Sequence, residues 1–321
     1  MEIVAELSCN HSGSLQRAKD LIAVASDAGA DAVKLQCWDR DSMVVDQART
    51  IASGPWAGRN MADLYREAWT PWPWFPPLFE YAAKLGIGMF SSVFDTKALA
   101  FLESINCPRY KIASFEALDF GFIDEVSDTG KPVILSAGLM TMADVIAVAM
   151  GWPEAWQLLC VSEYPAHPSS YNLGRIASLK RTWHVHVGVS DHTLGSAVPI
   201  AAAALGADML EKHLQLTGDD TLDSMFSLPP KEFAGMVRDC RDTESALGTD
   251  YPEPSETALS FRRSLWVVKT LPAGEAITSE HIISARPAGG LSSDSLAGLI
   301  GHRVARDLAP GAPLREEDIA N

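Results

Sequence analysis

The sequence predicts an α/β protein, a (β/α)8 TIM barrel followed by a small β-rich domain, on three observations. From residue 1 to about 246, short apolar runs alternate eight times with polar clusters and helical stretches. Parallel strands buried on both sides by crossover helices read this way. After Leu247 the composition changes to Gly248-Thr-Asp-Tyr-Pro-Glu-Pro-Ser-Glu-Thr257, the signature of a linker. Beyond it an internal repeat marks a second unit. The expected organisation is therefore a barrel over 1–246, a linker over 247–261 and a second domain over 262–321.

The strand candidates, in order, are Ile3 to Ala5, Ala32 to Gln36, Ile87 to Ser91, Tyr110 to Ala113, Val133 to Leu135, Leu158 to Val161, Val185 to Val189 and Met209 to Glu211. Between the first two, Ser12-Gly-Ser-Leu-Gln-Arg-Ala-Lys-Asp-Leu-Ile-Ala-Val-Ala25 spaces apolar residues for a helix, with Gly29 as its stop. Cys37 to about Thr70 is a long loop containing Trp38, Trp56, Gly58, Arg59 and Trp69, leading to Pro71-Trp-Pro-Trp74. A loop of that length on the active face of a barrel reads either as a lid or sugar-binding wall, or as a tryptophan-rich plug. Ala201 to Leu205 predicts a small-residue helix. In the second unit, Leu271-Pro-Ala-Gly-Glu-Ala-Ile277 with Ile282 recurs as Leu308-Ala-Pro-Gly-Ala-Pro-Leu314 with Ile319, which predicts a pseudo-symmetric β-rich module.

Composition narrows the function. A net charge of −15 disfavours nucleic acid and anionic membrane, both of which need a basic footprint. The sequence shows neither a long apolar run nor a basic n-region with a hydrophobic stretch behind it, so neither signal peptide nor membrane span is expected. Five scattered cysteines without C-x-x-C spacing suit a reducing cytoplasm and argue against a cysteine-based zinc site.

Every predicted strand ends in polar residues, where a barrel enzyme places its chemistry. They are Glu6, Asn10 and His11; Lys34 and Gln36; Ser91 and Ser92; Lys111, Ser114 and Glu116; Ser136; Ser162 and Tyr164; Ser190, Asp191 and His192; Glu211, Lys212 and His213. His192 and His213 end adjacent runs. On neighbouring parallel strands, about 4.8 Å apart, they emerge side by side and can share a divalent metal. Lys34 and Lys111 with the serine hydroxyls suit a phosphate and a carboxylate on one small molecule. Any single serine reads more readily as a helix N-cap, and only the set points to an anion. Glu6 and Glu116 are both candidates for proton transfer, and spacing does not choose between them.

These residues resemble a known family, the sialic acid (nonulosonic acid) synthases that make nine-carbon 2-keto sugar acids. The resemblance is carried by Ala5-Glu-Leu-Ser-Cys-Asn-His11, Gly29-Ala-Asp-Ala-Val-Lys-Leu-Gln36, Tyr110-Lys-Ile-Ala-Ser-Phe-Glu116, Lys131-Pro-Val-Ile-Leu-Ser136, Cys160-Val-Ser-Glu-Tyr-Pro165, Gly188-Val-Ser-Asp-His-Thr-Leu194 and Glu211-Lys-His213. Arg263-Ser-Leu265 and Ala285-Arg-Pro287 resemble the antifreeze-like (SAF, β-clip) domain that closes such chains. Within the family, Gly54-Pro-Trp-Ala-Gly-Arg59, Leu64-Tyr-Arg-Glu-Ala68 and Asp223-Ser-Met-Phe-Ser227 look most like the pseudaminic acid synthases.

The resemblance implies condensation of phosphoenolpyruvate with a six-carbon N-acetylated amino-sugar aldehyde, releasing phosphate. It implies Mn²⁺ or Mg²⁺ on His192 and His213. Lys34, Ser92, Lys111, Ser114, Ser136, Ser162 and Ser190 would hold phosphoenolpyruvate. Gln36, Tyr164 and Asp223 would meet the sugar, with Glu6 near the reacting centre and Arg286 of a second copy capping the site in a domain-swapped homodimer. The chain departs from the family at Val93, Ala137, Ser162 and the segment 214–222, which bears on the sugar more than on the reaction. The readings set against this one are an N-acetylneuraminic or legionaminic acid synthase, a barrel enzyme with a phosphorylated acceptor, a metal-dependent hydrolase, and a catalytically silent sugar-binding barrel.

Overall fold

The computed structural model describes residues 1–248 and 253–320, which divide into two units, 1–248 and 249–321. Eight parallel strands close the first: β1 (Glu2–Glu6), β2 (Ala32–Cys37), β3 (Gly88–Val93), β4 (Tyr110–Ile112), β5 (Val133–Ser136), β6 (Trp156–Cys160), β7 (Val187–Asp191) and β8 (Met209–His213). Each pairs with the next, and β8 pairs with β1. All eight predicted runs are strands, with ends unmoved or moved by one or two residues. Two-residue extensions carry β7 to Asp191 and β8 to His213, so the pairing reaches the polar residues themselves.

Register matters more here than strand existence. It sets Glu6 level with both Lys34 and His213, Gln36 level with Ser92, Ser92 level with Lys111, and Ser190 level with Glu211. Side chains alternate across a strand, so residues two apart share a face. The apolar positions fill the barrel wall and centre, and the polar positions gather at one end.

The helices follow from ordinary local chemistry. α1 (Leu15–Asp27) starts at Ser14, whose hydroxyl accepts from the Arg17 amide, and the chain leaves it through Gly29 at φ +83°. The long loop after β2 contains α2 (Met61–Ala68), and α3 (Phe75–Leu85) follows. Then come α4 (Thr96–Ser104), α5 (Phe120–Ser127), α6 (Met142–Gly151), α7 (Arg175–Trp183), α8 (Ala197–Ala204) and α9 (Pro230–Leu247). α9 buries Phe233, Met236, Val237 and Cys240, one stripe at helical spacing. Among the described residues, no helix is long and apolar enough to cross a membrane, and all five cysteines are unpaired.

Part of the predicted linker, residues 249–252, lies outside the described residues. Another part forms a short helix, α10 (Glu256–Ser260). The second unit contains an antiparallel pair, β9 (Ser264–Val267) and β10 (Ile282–Ala285), plus isolated bridges. Its core gathers Leu265, Val267, Leu271, Ile277, Ile282, Val304, Leu308 and Leu314. The two copies of the repeat meet in it: Leu271 bridges Leu308, and the matched glycines Gly274 and Gly311 turn the chain at φ +80° and +89°.

Candidate active site at the C-terminal mouth of the barrel

The strand ends open into a cavity of about 570 Å³. Glu6, Lys34, Gln36, Ser92, Lys111, Ser114, Ser136, Ser162, Tyr164, Ser190, His192, His213 and Asp223 all line it. Asn10, His11, Ser91, Asp191 and Lys212, also read as polar strand ends, do not, and neither does Glu116. Glu116 sits just beyond Ser114, and Arg286 belongs to the second unit, directly after β10.

The floor is a buried network of charge. The Lys34 ammonium lies 2.5 Å from the Glu6 carboxylate, donates to Ser92 Oγ at 2.7 Å, and approaches Glu211 at 3.7 Å. Lys111 donates to both Glu211 oxygens, at 3.1 and 3.0 Å, and Ser190 Oγ donates to the same carboxylate at 3.1 Å. Burial would push Glu211 up, but Lys111 and Lys34 overcome it and hold the carboxyl down at about 2. For Glu6, burial outweighs the neighbouring Lys34, and the charge of Glu211 adds to it, so its proton affinity rises. Two carboxylates around one ammonium thus diverge, one firmly ionised and one ready to accept a proton. Glu211 had been read only as one more polar strand end. Its parity with His213 was the available signal that it faces inward.

Beside the lysines lies a set of donors with nothing to bind. Ser136 Oγ and Ser162 Oγ are buried without partners, and the Gly138 amide donates to Ser114 Oγ at 3.2 Å. Ser162 and Ser114 crowd around a bare Cα: a Cβ on Gly138 would stand 2.3 Å from Ser162 Oγ and 2.7 Å from Ser114 Oγ. Unpartnered buried hydroxyls next to two ammonium groups suit an anion with several oxygens. Gly138 escaped the sequence reading because a loop glycine has no periodicity to betray it.

The imidazoles of His192 and His213 meet edge to face, with centroids 5.5 Å apart. His192 Nδ1 is 2.7 Å from the Val161 carbonyl, which makes it the donor and leaves Nε2 as the free lone pair of a neutral ring. His213 Nδ1 is buried without a hydrogen-bond partner, 3.9 Å from Asp223. Burial, then the neighbouring His192, lowers the basicity of His213 well below the usual histidine range. Burial acts the same way on His192, but Cys160 beside it holds the proton more firmly, so an ion would have to compete for it. Among the described residues no group of three or more His, Cys, Asp or Glu side chains is arranged to hold a metal. Two neighbouring imidazoles, one with a buried unpartnered nitrogen, fit an ion that keeps its other positions for water and substrate.

The outer wall is aromatic. Trp56, Tyr164 and Phe226 pack together with centroids 4.9 to 6.0 Å apart, and Tyr164 lies 4.2 Å from the His192 ring. Trp56 comes from the long loop and donates through Nε1 to the Leu222 carbonyl at 3.0 Å, joining the β2 and β8 loops. Trp69 and Trp72 instead both donate to the Trp38 carbonyl. The loop is therefore a wall at Trp56 and a packed plug around Trp38. The β8 loop is anchored from below by Asn10, which donates to Leu214 O and Ser227 Oγ, by the Arg17–Asp219 ion pair, and by the Ser8 hydroxyl on Asp223.

Known proteins resemble the chain along nearly its whole length. Residues 21–251 match the NeuB family and residues 262–320 the SAF domain. The chain is 39% identical over 331 positions to a pseudaminic acid synthase of Helicobacter pylori, covering 99% of this chain and 97% of that one. An N,N'-diacetyllegionaminic acid synthase of Legionella pneumophila is 32% identical over 336 positions, covering 99% and 94%. Among solved structures, an N-acetylneuraminic acid synthetase of Leptospira borgpetersenii in complex with citrate superposes with a TM-score of 0.70 at 30% identity, covering 79% of this chain and 87% of that one. The chain belongs to the NeuB family, with a SAF domain following its barrel.

Proposed function

We propose that the cavity joins phosphoenolpyruvate to a 2,4-diacetamido-2,4,6-trideoxy-altrose in its aldehyde form, giving the nine-carbon 2-keto acid pseudaminic acid and inorganic phosphate. The observation that carries this reading is the floor: two buried lysines in one cavity with the unpartnered hydroxyls of Ser136 and Ser162, in a chain resembling pseudaminic acid synthases along nearly all its length.

In the reaction C3 of phosphoenolpyruvate bonds to the aldehyde carbon, water adds at C2, and the C2–O bond to phosphate breaks to leave the ketone. Lys34 and Lys111 hold the anionic groups, and Ser92, Ser114, Ser136, Ser162, Ser190 and the Gly138 amide orient the oxygens that leave as phosphate. Glu6 lines the cavity with raised proton affinity and Glu116 does not reach it, so Glu6 takes the proton of the attacking water. His192 and His213 would hold Mn²⁺ or Mg²⁺, which supplies Lewis-acid polarisation of the aldehyde oxygen when bound.

Gln36, Tyr164 and Asp223 meet the sugar, and the wall of Trp56, Tyr164 and Phe226 suits its methyl-bearing edges. Lys34 and Lys111 are the Lys and Arg residues lining the cavity, and both already face carboxylates, which argues against a phosphorylated acceptor. The same reading takes the protein as a homodimer in which a second copy contributes Arg286 to the sugar site. Phosphate release from phosphoenolpyruvate tests the proposal. It should require both a divalent metal and the aldehyde sugar, and release without the sugar, or none with both present, would overturn it.

A further inference from the structure

The two imidazoles stand on neighbouring strands, and what fixes their separation lies outside the cavity. Strand alternation turns Ser190, His192, Glu211 and His213 inward and Asp191 and Lys212 outward. Reading Asp191 and Lys212 as part of the mouth is therefore corrected by the fold. They are register partners, both fully buried, and their charged groups meet 2.6 Å apart. The Lys212 ammonium also donates to the Thr193 carbonyl. The Asp191 carboxylate in turn accepts from the Thr193 amide at 2.9 Å and its hydroxyl at 3.2 Å. Both residues that flank His192 are thus tied to the residue that precedes His213.

A second contact comes from the loop ahead of α7. The buried Tyr171 hydroxyl donates to the Ser190 carbonyl at 3.0 Å and accepts from the His192 amide at 2.8 Å. With Nδ1 on the Val161 carbonyl, His192 is held at backbone and ring alike. None of Asp191, Thr193, Lys212 or Tyr171 lines the cavity.

A buried ion pair is a poor stability device, because an apolar pair of similar volume often does as well or better; the better-attested use is fixing register. Here the register in question has a functional consequence. Two rings that each reach one ion at about 2.1 Å from nitrogen must keep their centroids within about 6.5 Å, and these stand at 5.5 Å. We infer that Asp191, Lys212 and Tyr171 are positioning residues that set the spacing of His192 and His213 to the width of one divalent ion. This rests on the reading that the imidazole pair holds such an ion.

The test measures Mn²⁺ affinity of the full chain without substrates, by the loss of the free-ion electron paramagnetic resonance signal, alongside melting temperature and phosphoenolpyruvate binding. Two variants are compared with the wild type: Tyr171→Phe, which removes one oxygen, and the double variant Asp191→Leu/Lys212→Met, which replaces the ion pair by apolar groups of similar size. Both should stay folded and keep phosphoenolpyruvate binding, melting a few degrees lower because each strands buried hydrogen-bond partners, and bind Mn²⁺ roughly 10- to 100-fold more weakly, as outer-shell changes do. Mn²⁺ affinity within about twofold of wild type in folded variants overturns the inference, as does an equal loss of Mn²⁺ and phosphoenolpyruvate binding. Should the double variant not fold, Tyr171→Phe alone decides. A wild-type protein that binds no Mn²⁺ overturns the metal reading itself, a result distinct from a wild type that binds and variants that match it.

Discussion

Gly138→Ala adds one methyl group at the point where the serine hydroxyls converge. The backbone there is not in the left-handed region, so alanine costs nothing in φ, and the effect is confined to what the methyl meets. It would stand 2.3 Å from Ser162 Oγ and 2.7 Å from Ser114 Oγ, and contacts that short force at least one hydroxyl to swing away. A hydrogen bond to a charged group contributes about 1.5–3 kcal/mol. Losing one such bond to the phosphate therefore weakens phosphoenolpyruvate binding by about 10- to 150-fold, and losing two multiplies the effect. Calorimetric titration with phosphoenolpyruvate measures it directly, with the melting temperature as control. Unchanged affinity in a folded Gly138→Ala protein would refute the assignment of the cradle.

His213→Ala should abolish phosphate release while leaving the fold intact, because the ring's Nδ1 leaves no partner stranded; a thermal melt with the phosphate assay checks both halves. Burial raises the Glu116 carboxyl from 4.5 to about 7. A raised carboxyl favours the fold when protonated, so its contribution is complete below pH 4.5 and is lost as pH rises through about 7. Glu116→Gln should flatten that part of the urea midpoint plotted against pH, and an unchanged slope would count against it. Arg286→Ala should raise the sugar requirement more than the phosphoenolpyruvate requirement in steady-state kinetics, and equal loss of both would remove it from the sugar site.

The barrel was legible because parallel strands covered on both sides read as short apolar runs, and all eight fell where the runs lie. The inward set was legible through parity: Lys34 with Gln36 and His192 with Ser190 each sit two apart, hence on one face. The same rule, applied to Asp191 and Lys212, turns them outward, and treating every polar strand end as part of the mouth hid this. The role of Glu211 was not legible, since Lys34 and Lys111 reach it from other strands of a closed barrel and no local pattern encodes that meeting. Gly138 was invisible for a different reason, its meaning being the absence of a side chain in a loop whose neighbours come from the ends of two other strands, β4 and β6. The long loop was seen as either wall or plug, and its tryptophans divide between the two, which depends on tertiary placement. In the second unit the repeat was readable because matched glycines must turn the chain at matched offsets.

The central claim is that one cavity brings an enol phosphate and a neutral amino-sugar aldehyde together for carbon–carbon bond formation. Mass detection of the products from phosphoenolpyruvate and Mn²⁺ with each of three six-carbon acceptors, the precursors of pseudaminic, legionaminic and N-acetylneuraminic acids, tests it most directly. A nine-carbon acid should appear in step with phosphate, fastest from the 2,4-diacetamido-altrose. Phosphate without a nine-carbon product, or no product from any of the three, would contradict it.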